Sequence, residues 1–215
     1  MTKLNIAVVG ATGLVGKEII DILDKRNFPI DTLTLLASKR SAGQVVSFKG
    51  QSIKVTELTN TSFKDVDVAL FSAGSSISEK YAPIAVQSGT IVIDNTSFYR
   101  MKDDVPLVVP EVNKAAIKNH KGIIANPNCS TAQLVMALKP IHDYATIKRL
   151  VISTYQSVSG AGKDAMMELE NHSRYLIQGK VAEPKEFSHH IAFNLIPQID
   201  VFTDNGYTKE EMKMI

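Results

Sequence analysis

The single cysteine of this 215-residue chain, Cys129, is its strongest candidate nucleophile. Pro127 restricts the residue before it to an extended conformation and Asn128 is a favourable N-cap, so the sequence from Asn126 predicts a helix beginning at the cysteine. A helix N-terminus favours negative charge, and the thiolate is the nucleophilic form of cysteine. Because most lone cysteines are only small apolar side chains, these residues alone leave a purely structural role open.

A glycine-rich turn near the N-terminus has the pattern of a phosphate-binding turn. Residues 10–16 read Gly-Ala-Thr-Gly-Leu-Val-Gly, between an apolar run at 4–9 and a helical pattern that extends to about Asn27. Strand, glycine turn and helix form the setting in which backbone N–H groups receive a pyrophosphate. The pattern predicts a dinucleotide site. The alternative is a tight turn in which glycine serves only packing.

The residues after the second predicted strand favour NADP over NAD. Residues 37–41 read Ala-Ser-Lys-Arg-Ser and lack the carboxylate that NAD sites usually place there. An arginine fork and serine hydroxyls suit a 2′-phosphate, whereas the alternative is a solvated basic loop.

Residues 72–74, Ser-Ala-Gly, follow another predicted strand. Small residues there either admit the nicotinamide ribose or only begin a helix.

Alternating strands and helices would position these groups. Strands are predicted at 4–9, 31–38, 66–72, 90–94 and 122–126, with a small hairpin at 45–55. Strands that alternate with helices predict an α/β fold with a Rossmann-like, doubly wound parallel sheet, and we place this domain at residues 1–128.

A second domain is expected at residues 129–215. Its predicted elements are a helix at 129–142, a long strand at 147–157, a helix at 163–178, an irregular polar segment at 179–197 and a helix from about residue 208.

The composition excludes several classes of protein. Hydrophobic residues make up 44% and charged residues 21% of the chain, which excludes a disordered or fibrous protein. The net charge of +2 gives no reason to expect nucleic acid or a membrane surface as partner. A lone cysteine cannot form an internal disulfide, so we expect a cytoplasmic location. No metal site is predicted.

Seven motifs, in order along almost the whole chain, resemble those of aspartate-β-semialdehyde dehydrogenase. They are GATGLVG at 10–16, ASKRSAG at 37–43, DNTSFYR at 94–100, NPNCST at 126–131, YQSVSGAG at 155–162, HIAFNLIPQIDVF at 190–202 and YTKEEMK at 207–213. The resemblance implies NADPH-dependent reduction of L-aspartyl 4-phosphate to L-aspartate 4-semialdehyde with release of phosphate. This reaction precedes lysine, diaminopimelate, methionine and threonine synthesis. It also implies that the second domain is the catalytic and dimerisation domain, and that the full-length protein is a homodimer.

The resemblance assigns a role to each candidate site residue. Cys129 would form the acyl thioester, and Gln156 would orient the substrate. Arg100 would bind phosphate with help from Asn128 and Lys213, and Glu210 would hold the substrate ammonium. The cofactor residues would be Thr12, Gly13, Leu14, Val15, Arg40, Ser41, Ser159 and Gly160. Without the resemblance, the sequence favours a surface ion pair for Arg100. It likewise favours an exposed pair, three residues apart on a helix, for Glu210 and Lys213.

One departure from the family limits these expectations. The family's histidine base and second arginine lie in a stretch beyond residue 215, so we expect an incomplete second domain and a chain that is inactive by itself. His189 and His190 are not expected to replace that base, because the family has no catalytic residue in their segment.

Other functions stay open. N-acetyl-glutamyl-phosphate reductase forms a similar thioester, but its motif has glycine before the cysteine and proline after it, unlike Asn128 and Ser130. Glyceraldehyde-3-phosphate dehydrogenase lacks the Asn-Pro of the motif at 126–131. A non-catalytic dinucleotide-binding or dimerisation module is the alternative outside catalysis.

Overall fold

The computed structural model describes residues 2–215 and divides the chain into two compact units, Met1–Thr146 and Ile147–Ile215. The helix that begins at Cys129 groups with the first unit. The predicted domain boundary between residues 128 and 129 stays a prediction.

A six-stranded parallel sheet forms the centre of the first unit. Its strands are β1 Leu4–Val9, β2 Ile30–Ala37, β5 Thr56–Glu57, β6 Val68–Phe71, β7 Ile91–Asp94 and β8 Ile123–Ala125, and their spatial order is β5-β2-β1-β6-β7-β8. A separate antiparallel hairpin joins β3 Val45–Phe48 to β4 Gln51–Lys54, as predicted. The chain leaves β1 towards β2 on one side and returns to β6 on the other, which confirms the doubly wound topology.

Helices cover both faces of this sheet. Ala7 and Val9 of β1 pack in one buried cluster with Ala82 of helix α2, Ser75–Gln87. Ile6 and Val8 pack in a second cluster with Ile20 of helix α1, Leu14–Lys25. Because successive side chains of a strand point to opposite faces, a continuous apolar run such as β1 needs apolar layers on both sides.

Further helices occur in both units. Pro110–Asn113 forms α3 and is followed by a 3₁₀ helix at Lys114–Asn119. Helix α4, Cys129–Tyr144, begins where the sequence predicts. In the second unit, a 3₁₀ helix at Val158–Ala161 precedes α5, Lys163–Ile177, and the four-residue helix α6 spans Lys209–Met212.

The predicted strand at residues 147–157 is wrong. These residues form no strand in the structure, and Val151 and Tyr155 are 82% and 86% exposed. A strand needs a neighbour to accept and donate its backbone hydrogen bonds, and no strand among residues 2–215 pairs with this segment. Alternating apolar residues alone therefore did not specify the conformation.

Glu168 of α5 anchors the irregular segment that follows this helix. It is only 8% exposed, and its Oε2 accepts the backbone N–H groups of Lys185 and Glu186, both at 2.8 Å. Burial raises the pKa of Glu168, but these N–H donors and the nearby His172 outweigh burial and hold the pKa below its ordinary value.

This anchor should weaken in acid. Because the carboxyl binds a proton less readily in the folded state, its stabilising contribution is complete above the ordinary glutamate pKa and is lost as the pH falls through the folded value. We expect hydrogen exchange of the amides at 185 and 186, corrected for intrinsic rates, to accelerate on acidification in the wild type. In Glu168→Gln the protection should be weaker and nearly independent of pH.

Glu170→Gln is the matched control, because Glu170 lies on the same helix in an exposed pair with Arg174. This variant should keep the wild-type pH dependence. An unchanged pH dependence in Glu168→Gln would contradict the proposed anchor.

Candidate active site

Four strands of the sheet end at the same level. The parallel register aligns Val9 with Phe71, Phe71 with Asp94, and Asp94 with Ala125. The next residues, which begin the four loops, are Gly10, Ser72, Asn95 and Asn126. The glycine turn and the cysteine motif, which are far apart in sequence, therefore begin at one edge of one sheet.

The glycine turn lies where the topology of the sheet reverses, between β1 and β6. Open α/β sheets bind ligands in the crevice at this position. Gly10 has a φ of +91°, and a Cβ on it would lie 3.0 Å from the backbone N of Ala73. The glycine thus allows the turn after β1 to approach the small residues after β6.

Gly16 lets helix α1 approach the same turn. A Cβ at Gly16 would lie 2.1 Å from the carbonyl oxygen of Gly10, an impossible contact. Gly13 caps the helix, and its N–H donates to Gly10 O at 3.0 Å. Leu14 and Val15 in the first turn are 39% and 46% exposed, so the helix presents its N-terminus and two apolar side chains to solvent.

The basic turn after β2 lies beside the glycine turn. The N–H groups of Gly10 and Ala11 both donate to Leu36 O of β2, and the N–H of Ser41 donates to Ser38 O at 2.9 Å. Arg40 is exposed and Ser41 is half-buried. Six of the eight predicted cofactor residues therefore lie in the basic turn after β2 or in the glycine turn and the first turn of α1 that follows it. They are Thr12, Gly13, Leu14, Val15, Arg40 and Ser41.

Cys129 is the first residue of α4 and is exposed. Asn128 caps this helix, as predicted: its Oδ1 accepts the N–H and the hydroxyl of Thr131 at 3.0 and 3.1 Å. The Cys129 Sγ lies 3.9 Å from Asn128 Nδ2. The N-cap thus fixes the backbone at the thiol and places an amide donor beside it.

Arg100 contacts the loop that carries the cysteine. Its Nε donates to Asn126 O and its Nη2 donates to Asn95 O, both at 2.9 Å. The Asn126 Nδ2 donates to Asn95 Oδ1 at 2.6 Å. Arg100 therefore binds backbone carbonyls of two adjacent loops. The sequence alone did not indicate Asn95 and Asn126 as candidate site residues, although they lie in the motifs at 94–100 and 126–131.

In the second unit, the structure brings Gln156, Glu210 and Lys213 together. Glu210 is buried, and its two carboxylate oxygens accept Gln156 Nε2 at 2.9 Å and Lys213 Nζ at 2.7 Å. Thr208 and Glu211 form a capping box that starts the short helix α6 at this position. The expectation of an exposed Glu210 is therefore wrong, because its carboxylate is enclosed by its partners.

The remaining candidates lie elsewhere in the second unit. Ser159 and Gly160 belong to the 3₁₀ helix Val158–Ala161, where Ser159 Oγ lies 2.6 Å from Ser157 Oγ. His189 contacts Ser188, and the His190 ring packs 5.8 Å from that of His172.

No group of three or more His, Cys, Asp and Glu side chains among residues 2–215 is arranged to hold a metal ion. None of the helices described here combines the length and apolar character that a membrane span requires.

Comparisons with known proteins agree with this geometry. The family model "Semialdehyde dehydrogenase, NAD binding domain" matches residues 5–120, and "Semialdehyde dehydrogenase, dimerisation domain" matches residues 138–215. An aspartate-semialdehyde dehydrogenase from Shewanella sp. (strain DB6705) is 54% identical over 99% of this chain. The chain belongs to the aspartate-semialdehyde dehydrogenase family.

Family members of known structure have the same fold. A crystal structure of aspartate semialdehyde dehydrogenase II from Vibrio cholerae, complexed with ASA, covers 100% of this chain with a TM-score of 0.97 and 52% identity. The aspartate-semialdehyde dehydrogenase of Bacillus subtilis (strain 168) is 54% identical over 99% of the chain. The chain spans 64% of the Shewanella and Vibrio proteins and 63% of the Bacillus protein.

The close contact at Gly16 predicts the effect of one methyl group. Gly16→Ala should push α1 away from the Gly10 turn, destabilise the chain by about 1–3 kcal/mol and weaken dinucleotide binding. Thermal unfolding and calorimetric titration measure the two effects. Lys17→Ala, an exposed change on the same helical turn, should leave both near wild type. A Gly16→Ala variant with wild-type stability and dinucleotide affinity would show that the turn does not depend on this contact.

Proposed function

We propose that this protein reduces L-aspartyl 4-phosphate to L-aspartate 4-semialdehyde through a thioester on Cys129, using NADPH. The observation that carries the proposal is an exposed cysteine at the N-terminus of a 16-residue helix, on the loop that Arg100 contacts. Membership of the aspartate-semialdehyde dehydrogenase family supports the substrate. The proposal concerns the whole protein, since the chain spans 64% of the length of its relatives.

Cys129 carries the covalent step. Its Sγ attacks the acyl carbon, the bond from that carbon to the phosphate oxygen breaks, and inorganic phosphate leaves. NADPH, when bound, supplies a hydride. After the thioester carbonyl is reduced, loss of the Cys129 thiolate gives the aldehyde, and the acyl carbon has gained two electrons. The N-cap of α4 supports this role because it holds the thiol at the positive end of a helix.

Arg100 would receive the phosphate group. A guanidinium has five N–H donors in a planar fork and keeps its charge at all relevant pH values. Two of these donors bind the carbonyl oxygens of Asn95 and Asn126, which holds the guanidinium beside the loop that leads to Cys129. Asn128 and Lys213 would assist in binding phosphate.

Glu210 would bind the substrate ammonium, and Gln156 would orient the substrate at the thiol. Their direct hydrogen bond of 2.9 Å supports a joint role, because each side chain restricts the rotation of the other. Lys213 lies 2.7 Å from the same carboxylate and holds it in place.

The residues of the first unit fit a dinucleotide. Helix α1 presents its N-terminus at the topological reversal, and Gly10 and Gly16 keep the turn compact. Residues 37–42 contain no carboxylate, while Arg40 and Ser41 offer donors for a 2′-phosphate. We therefore propose NADP as the preferred cofactor, bound also by Ser159 and Gly160, in a cytoplasmic protein that forms homodimers.

The preference for NADP is testable by titration of the 215-residue chain. NADP should bind more tightly than NAD, and Arg40→Ala should weaken NADP binding about 10- to 100-fold while leaving NAD binding unchanged, since a hydrogen bond to a charged group contributes about 1.5–3 kcal/mol. Arg26→Ala, an exposed arginine at the other end of α1, is the control. Equal affinity for NAD and NADP would contradict the preference.

The role of Cys129 is testable by alkylation without any need for turnover. Because Cys129 is exposed, we expect iodoacetamide to modify it, and we expect substrate to slow this reaction. In a dinucleotide-binding or dimerisation module, the substrate would give no protection. That second result would overturn the catalytic proposal while leaving the cofactor site intact.

A further inference from the structure

We propose that Asn95 is a positioning residue that fixes the Arg100 guanidinium relative to the cysteine loop by binding Asn126. The phosphate-binding part of this inference rests on the proposed function. The geometric part rests only on hydrogen bonds within the first unit.

The two asparagines are neighbours because of the sheet register. Asp94 of β7 pairs with Ala125 of β8, so Asn95 and Asn126 are the first residues beyond the two strands. The backbone N–H of Asn126 donates to Asp94 O at 2.8 Å, and its side-chain Nδ2 donates to Asn95 Oδ1 at 2.6 Å. The side-chain pair thus extends the ladder between β7 and β8 by one further hydrogen bond.

Arg100 binds the same two residues through their carbonyl oxygens. Its Nε and Nη2 lie 2.9 Å from Asn126 O and Asn95 O, respectively. Because the guanidinium is planar and these two nitrogens lie on one edge, two fixed carbonyls determine the plane of the whole group. The amide pair keeps these carbonyls at a fixed separation, so it controls the orientation of the cation.

The loop that carries Asn95 has a rigid base. Asp94 is fully buried, and its carboxylate accepts the Ser78 hydroxyl at 2.8 Å, the Thr96 N–H at 3.0 Å and the Thr96 hydroxyl at 2.9 Å. Asn95 therefore lies between two residues, Asp94 and Thr96, that are already held by hydrogen bonds. Its side chain can thus determine the position of the Asn126 side chain.

Only Pro127 and Asn128 separate Asn126 from Cys129. Pro127 has a fixed φ and is buried, and Asn128 is held by its N-cap hydrogen bonds to Thr131. Few backbone torsion angles between Asn126 and Cys129 are therefore free to change. A change at Asn126 is therefore transmitted both to Arg100 and to the start of α4.

Asn95→Ala removes the amide pair but keeps the carbonyl that Arg100 binds. We expect the affinity for inorganic phosphate, measured in the 215-residue chain as protection of Cys129 from iodoacetamide, to fall about tenfold, the factor for one hydrogen bond of roughly 1.4 kcal/mol. Asn126→Ala should have a similar effect. The double variant should be no weaker than either single variant, because both changes remove the same interaction.

A second readout does not depend on phosphate. The Arg100 Nε–H is held by Asn126 O, so its NMR signal should exchange slowly with solvent in the wild type and faster in Asn95→Ala. Asn95→Asp keeps an acceptor for Asn126 Nδ2 and should restore slow exchange. Asn113→Ala is the matched control, since it removes two side-chain hydrogen bonds to the backbone, to Val109 and Leu107, elsewhere in the same unit.

The outcomes separate the two claims. Wild-type exchange of the Arg100 Nε–H in Asn95→Ala, or equal changes in Asn113→Ala, would overturn the positioning role. Failure of phosphate to protect Cys129 in the wild type, or full protection in Arg100→Ala, would refute the phosphate assignment under the proposed function. The exchange measurement would still decide the role of Asn95.

Discussion

The parallel register of the central sheet is the constraint on which the candidate site depends. Val9, Phe71, Asp94 and Ala125 are aligned across β1, β6, β7 and β8. Parallel strands all point their carboxyl ends to one edge, so the loops that follow must emerge side by side. The glycine turn, the small residues after β6, the Asn95 loop and the cysteine loop are therefore brought together by backbone hydrogen bonds. A slip of one residue would turn the side chains of a strand to the opposite face, so that they no longer fit the apolar layer on either side.

At the same edge, Arg100 is oriented by hydrogen bonds to the backbone carbonyls of Asn95 and Asn126. The Asp94 side-chain oxygens accept hydrogen bonds from Ser78 and Thr96. In the second unit the arrangement differs, since Glu210 is held by both a neutral amide and the Lys213 cation. The two units therefore hold their candidate binding side chains through different kinds of partner.

The sequence alone predicted the strands and helix starts that depend on residues close together in the chain. Apolar runs predicted β1, β6 and β7, the asparagine before Cys129 predicted the start of α4, and Thr208 marked the start of α6. The strand at 147–157 was wrong because pairing depends on distant residues. The Glu168 anchor and the Asn95–Asn126 bond were not predicted, since their partners lie 17 or more residues apart and only the folded chain brings them together. The burial of Glu210 was missed for the same reason.

The central claim is that Cys129, positioned at this edge, accepts an acyl group from an acyl phosphate. Mass spectrometry of the whole protein mixed with freshly generated L-aspartyl 4-phosphate tests it directly. We expect one aspartyl group on the peptide that contains Cys129, with one equivalent of phosphate released and the adduct removed by hydroxylamine. Cys129→Ser should form no hydroxylamine-labile thioester. An unmodified Cys129, or an adduct on another residue, would contradict the account.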